Sequence, residues 1–227
     1  MKSKVFSFIL LFSFLVSQSN AQKTQLTYLA LGDSYTIGEA VAENERWPNQ
    51  LADSLRKRGF VVEKPKIIAK TGWRSDNLID AIHNNDPTEK YDLVSILIGV
   101  NNQYQEKSLE VFKNDLEVLI KLAIKYSKNG REGIFALSIP DYGVTPFASA
   151  KNPEKISEEI EAYNNASQAI FEKNGIHFFD ICPISKEAKD SPELLAKDQL
   201  HPSGLMYQKW VSYLFQKNIL YLDALKR

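Results

Sequence analysis

Ser34 stands directly after the apolar run Leu26-Thr27-Tyr28-Leu29-Ala30-Leu31 and the pair Gly32-Asp33, so a buried strand ends in a tight turn that presents a hydroxyl to solvent. Near the other end of the chain, Asp198-Gln199-Leu200-His201 places a carboxylate three residues before an imidazole. A serine nucleophile, a histidine base and a carboxylate that fixes the base's tautomer are the three parts that acyl transfer to water requires. Ser34 is thus the candidate nucleophile, His201 the base that takes its proton and returns it to the leaving alcohol, and Asp198 the orienting acid. The GxSxG nucleophile elbow is missing around Ser34, which excludes the usual α/β-hydrolase arrangement.

Each of these residues also has an ordinary reading. Serine after a strand commonly caps the next helix, a histidine before a proline can be a plain surface residue, and asparagine and glycine favour turns. Asp33 is expected to cap its own turn by hydrogen bonds to nearby backbone N–H groups and not to act as the catalytic acid. His83, in a polar stretch read as loop, and His177, at a strand start, are not paired with a carboxylate in the same way and are set aside.

The elements that must position these groups alternate. Residues 26–31 form a first buried strand, and residues 46–57 a helix with Trp47, Leu51 and Leu55 on one face and Gly59 as its stop. Residues 61–69 form a second strand, which Pro65 assigns to a sheet edge. Ser75 or Asp76 caps a helix running to about His83. Residues 92–98 are almost continuously apolar, as a central parallel strand covered on both faces must be. Ser108 opens a long helix to about Tyr126, residues 134–139 form a fourth strand, Pro153 begins a helix to about Lys173 that Gly175 ends, residues 176–179 form a fifth strand, and Ser203 caps a final helix over residues 205–216. This order implies one α/β domain, a parallel sheet with helices on both faces. In such sheets ligands gather beyond the carboxyl ends of the strands. Gly72 follows the second strand, Asn101 the third, and Asp198 and His201 precede the last helix. The long irregular stretches 36–45 and 141–152 are expected to be functional or mobile. Tyr35, Trp73, Tyr104, Tyr142 and Phe147 fall in loops at that same end, placed either to line an acyl or sugar pocket or to pack as ordinary loop residues.

The chain has 227 residues, of which the first 21 read as a secretory signal peptide: the basic start Met1-Lys2-Ser3-Lys4, an apolar stretch over residues 5–16 and the small residues Ser19-Asn20-Ala21 before the expected cut. The apolar stretch is too short for a comfortable membrane span, and no cysteine stands at the cut to carry a lipid. Residues 22–227 are then one exported domain, periplasmic or extracellular, with no stable membrane anchor. The precursor carries 28 basic and 28 acidic residues, and loss of Lys2 and Lys4 leaves 26 basic ones. Such balance argues against a nucleic-acid partner. The single cysteine, Cys182, cannot form an internal disulfide and is expected to pack as a small apolar residue.

Taken in order, Gly32-Asp33-Ser34, Gly72, Gly99-Val100-Asn101 and Asp198 through His201 resemble the blocks of the GDSL-type esterases and lipases, the SGNH hydrolases, over essentially the whole mature chain. Tyr35 stands where the family name has leucine, and Asn102 where many members have aspartate; both differences bear on pocket shape and not on the four namesake residues. The resemblance implies a three-layer α/β/α sandwich around a mostly parallel five-stranded sheet of flavodoxin-like type. It implies an oxyanion hole made by the backbone N–H groups of Ser34 and Gly72 and the side-chain amide of Asn101, with glycine at position 72 because close backbone approach leaves no room for a Cβ. It implies a carboxylic ester as substrate, whether a short acyl or acetyl ester or a lysophospholipid, and no metal or cofactor. An acyltransferase passing the acyl group to a sugar, or a non-catalytic carbohydrate-binding protein, are the alternatives on the same scaffold.

Overall fold

The computed structural model describes residues 25–221, so the expected signal peptide lies outside the described residues. Among the described residues fifteen α-helices and β-strands carry the fold. In chain order they are β1 (Gln25–Leu26), β2 (Tyr28–Gly32), α1 (Ser34–Ile37), α2 (Trp47–Lys57), β3 (Val61–Val62), β4 (Lys66–Ala69), α3 (Ser75–Asn85), β5 (Leu93–Leu97), α4 (Val100–Tyr104), α5 (Leu109–Tyr126), β6 (Ile134–Leu137), α6 (Pro153–Lys173), β7 (His177–Phe179), α7 (Cys182–Lys186) and α8 (Gly204–Gln216).

Five strands pair in the order β4-β2-β5-β6-β7, and every pair is parallel. β1 and β3 form a separate two-stranded parallel ladder. The second strand expected over residues 61–69 is therefore two strands in two sheets; Pro65, with no N–H to give, sits between them. Its main part, β4, lies at the sheet edge as Pro65 indicated. β5 takes the centre with all five residues buried, which its uninterrupted apolar sequence required.

Helices cover both faces: α2 packs on α8, while α3 packs on α5 and α5 on α6. α5 shows why. Leu109 follows Ser108, whose hydroxyl accepts the Val111 N–H at 3.2 Å, and Phe112, Leu116, Leu119, Ile120 and Ala123 then recur at helical spacing and are buried. Trp47, Leu51 and Leu55 are likewise fully buried on α2. Truncating one of these leucines to alanine costs about 2–5 kcal/mol.

The chain leaves β2 toward β4 on one side and returns to β5 on the other, so the strand order reverses between β2 and β5. Loops there diverge and open a crevice at the carboxyl ends. The register makes the three strands end level, with Gly32 paired to Ala69 on one side and to Leu97 on the other. Whatever follows Gly32, Ala69 and Leu97 is thus delivered to one height above the sheet. His83 lies in the last turn of α3 and not in a loop, because the turn continues to Asn85. Among the described residues no helix is long and apolar enough to cross a membrane.

Candidate active site

Asp33, and not Ser34, caps α1: its Oδ1 accepts the Tyr35 N–H at 3.0 Å, the role its position after a strand suggested. Ser34 is consequently the first residue of a four-residue helix, at the end where backbone N–H groups are unspent. Burial pushes the Asp33 carboxyl up to about 7, against the lowering pull of the backbone N–H groups of Tyr35 and Gly99. Its Oδ2 is buried without a hydrogen bond of normal geometry.

The loop before α8 is a rigid clasp. Ala196 N–H donates to the His201 carbonyl at 2.7 Å, and Ser203 N–H to the Leu194 carbonyl at 2.8 Å. Gln199 adopts the left-handed region at φ 59°, which tightens the turn between Asp198 and His201. Asp198 uses both oxygens. Oδ1 accepts the N–H groups of Leu200 at 3.1 Å and His201 at 3.0 Å, and Oδ2 lies 2.6 Å from His201 Nδ1. Burial alone would raise the Asp198 carboxyl, but the His201 ring and the two backbone donors outweigh it and hold it low. An ionised partner at Nδ1 assigns the proton to that nitrogen and leaves Nε2 as the basic one. Tyr35 meets the imidazole edge-on, with centroids 5.6 Å apart. The carboxylate and the tyrosine ring together fix the ring's orientation.

Gly72 and Asn101 arrive on the two neighbouring loops. Gly72 has φ 81°, and a Cβ there would meet nothing within 4 Å. No protein atom crowds this position; the left-handed backbone by itself selects glycine, and the space before it is open. Gly99 combines both constraints, with φ 130° and Phe112 and Ile139 within 2.8 Å of where a Cβ would stand. Its sharp turn starts α4, so Asn101 and Asn102 project from a short helix that no sequence pattern announced. Asn101 Nδ2 donates to the Trp73 carbonyl at 3.0 Å. That bond fixes the amide's sense and leaves its second N–H available.

A buried network ties these loops together. Asn102 Oδ1 accepts the Ser75 N–H at 3.0 Å, Asn102 Nδ2 donates to Ser75 Oγ at 2.7 Å, and Ser75 Oγ donates to Asp115 at 2.5 Å. Gln105 Nε2 reaches the Gly72 carbonyl at 3.3 Å, and the Thr71 hydroxyl donates to Glu39. Sequence reasoning missed Ser75, Gln105 and Asp115; only Asn102, as a departure beside Asn101, gave a signal. Ser75 was expected as a cap of α3 and serves instead as the hub between α3, α4 and α5.

Ser34, Gly72, Asn101 and His201 line one cleft of about 180 Å³. Tyr35, Tyr104, Tyr142 and Phe147 complete its walls, whereas Trp73 contributes only its carbonyl. Asp198 stands behind His201. Among the described residues no three His, Cys, Asp or Glu side chains converge as a metal cage. Cys182 is buried, and burial pushes its thiol up to about 11, an unreactive state.

A profile of the GDSL-like lipase/acylhydrolase family matches residues 30–209. Solved structures share the fold at low identity. A lipolytic protein of the G-D-S-L family from Veillonella parvula superposes with a TM-score of 0.68 at 16% identity, covering 86% of this chain and 99% of its own. The acetylxylan esterase Axe2 from Geobacillus stearothermophilus gives 0.64 at 20% identity, over 85% and 93%. The psychrotrophic esterase EstA from Pseudoalteromonas sp., in a form inhibited by monoethylphosphonate, gives 0.61 at 17%, over 87% and 98%. No curated protein sequence matches the chain.

Proposed function

Because the chain belongs to the GDSL-like lipase/acylhydrolase family and is a carboxylic ester hydrolase, we propose that it is an exported serine esterase for short acyl groups, acting through Ser34, His201 and Asp198. The observation that carries this reading is the convergence of Ser34, Gly72, Asn101 and His201 on one small cleft, with Asp198 2.6 Å behind the imidazole.

Ser34 Oγ attacks the ester carbonyl while its proton passes to His201 Nε2. Negative charge gathers on the carbonyl oxygen, where the backbone N–H groups of Ser34 and Gly72 and the second Asn101 amide N–H receive it. The imidazolium, held by Asp198, gives the proton to the departing alcohol. Water repeats the sequence in reverse on the acyl-enzyme and frees Ser34. A cleft of about 180 Å³ is small beside the ~300–1,000 Å³ of drug-sized sites, which favours acetyl and other short acyl groups over the long chain of a lysophospholipid.

Hydrolysis of p-nitrophenyl esters from C2 to C12 by wild type and Ser34→Ala tests the reading. The expected result is activity greatest on the shortest esters and lost in the variant; undiminished turnover by Ser34→Ala overturns it. Export through residues 1–21 is tested separately by N-terminal sequencing of the mature protein, expected to begin at Gln22.

A further inference from the structure

The catalytic cleft continues, past the rings of Tyr104 and Tyr142, into a second groove of about 800 Å³. The two spaces differ in chemistry as well as size. The larger carries three ammonium groups, Lys107, Lys151 and Lys155, against two carboxylates, Glu106 and Glu159. Glu159 is already engaged: it accepts from Gln103 Nε2 at 2.7 Å and lies 3.5 Å from Lys155 Nζ. Lys151 is held otherwise. Its ammonium sits 4.9 Å from the Tyr104 centroid and 5.4 Å from that of Phe147, with no carboxylate at ion-pair distance among the described residues.

Those two rings and Tyr142 form a mutual cluster with centroids 6.2–6.4 Å apart. Large aromatics normally seek burial, yet Tyr104 is 46% exposed and Phe147 39%. A hydrocarbon chain laid here would meet Leu109, Ile156 and Ala162 but would also strip water from the ammonium groups without replacing it. A sugar ring fits both surfaces, its C–H face on an exposed aromatic and its hydroxyls toward the charged rim. A carboxylate on that sugar would find Lys151 Nζ unpaired and would lie near the amino end of α6, whose dipole favours anions.

Resting on the serine-esterase reading above, we propose that this groove binds the alcohol portion of the substrate, and that this portion is an acidic, uronic-acid-bearing saccharide whose acyl ester enters the cleft at Ser34. The groove selects the alcohol by charge and stacking, and the small cleft selects the acyl group by volume.

The test compares kcat/KM for an acetylated oligogalacturonide, an acetylated xylo-oligosaccharide, lysophosphatidylcholine and p-nitrophenyl acetate, for wild type, Lys151→Met and Lys107→Met. The acidic saccharide is expected to exceed the neutral one by at least tenfold. Lys151→Met should reduce that ratio about tenfold, through KM and not kcat, and added salt should erode it in the wild type. Equal rates on the two saccharides, a preference that both lysine variants leave intact, or lysophosphatidylcholine as the better substrate overturns the proposal. If the wild type hydrolyses p-nitrophenyl acetate while the preference fails, only the groove assignment falls. If p-nitrophenyl acetate is not cleaved, the esterase reading fails by itself, and calorimetric titration of Ser34→Ala with unacetylated oligogalacturonide still decides the groove: saturable, salt-sensitive binding supports it, and none overturns it.

Discussion

At the amino ends of β2 and β5, Asp92 is buried and its Oδ2 gathers three donors: the Thr27 N–H and hydroxyl, each at 2.9 Å, and the Lys128 ammonium at 2.8 Å. At the carboxyl end of β2, Asp33 is equally buried and takes one bond of normal geometry, from Tyr35. The two aspartates titrate in opposite directions. Burial would raise both; at Asp92 the lysine and threonine outweigh it and hold the carboxyl low, and at Asp33 burial wins and pushes it up to about 7. One sheet therefore keeps a carboxylate with a cation and two further donors at one end, and at the other a carboxyl with a buried oxygen that takes no hydrogen bond of normal geometry. Catalytic sites are where such uncompensated groups are expected to persist.

The contrast breaks most visibly at Ser34. Ser34→Ala should lower kcat by about 10⁴-fold or more while the melting temperature holds; a matching loss of Tm would mean that the carboxyl end is structural after all. Asn101→Ala should lower kcat by about 10²–10³, and unchanged turnover removes its amide from the oxyanion site. At the other end, Asp92→Ala should leave kcat per folded molecule alone and cost about 2 kcal/mol by stranding the Thr27 and Lys128 donors, which denaturant titration reads directly. Full activity with full stability would contradict the division.

Protonation supplies the smallest effects and the sharpest signs. Asp92 sits below its unfolded value, so its contribution is present above the ordinary carboxyl range and is lost as pH falls through and below it. Asp33 sits above its unfolded value, so its contribution is complete below pH ~4 and is lost as pH rises toward about 7. Asp33→Asn should therefore flatten the decline of Tm between pH 4 and 8, by a few degrees. Thermal scans with an unchanged slope would show that Asp33 does not titrate in that window.

The elements with strong periodicity were legible. The apolar run of β5 and the stripe of α5 stand where the spacing put them, because burial on both faces of a strand, or on one face of a long helix, leaves few other solutions. Ser34, Gly72 and Asn101 were legible as strand-end residues and His201 as a residue ahead of the last helix, and the four line a common cleft. α4 was not: five residues are too few for a period, and Gly99 starts it with a backbone turn that only the packing of Phe112 and Ile139 explains. Nor was the Ser75–Asn102–Asp115 network, whose members lie far apart in the chain and meet only when α3, α4 and α5 pack. At Gly72 the structure adds a requirement that the sequence did not show, a left-handed backbone at φ 81°. The trio Tyr104, Tyr142 and Phe147 had no spacing to announce that it would cluster.

The clasp that carries His201 leads directly into α8, which packs on α2, and Gln50 of α2 donates to the Gly204 carbonyl at 2.9 Å. One of the earliest helices thus holds the last one in place. The proposed triad joins Ser34 to His201 across most of the described chain, and such long loops close late in folding. Refolding from denaturant should therefore regain helical signal before it regains turnover of p-nitrophenyl acetate. Simultaneous recovery would show that the clasp docks with the nucleus of the fold. Under this ordering, and on the proposed mechanism, an unfinished molecule is also an inactive one: the hydroxyl of Ser34 would meet His201 only once α8 has docked.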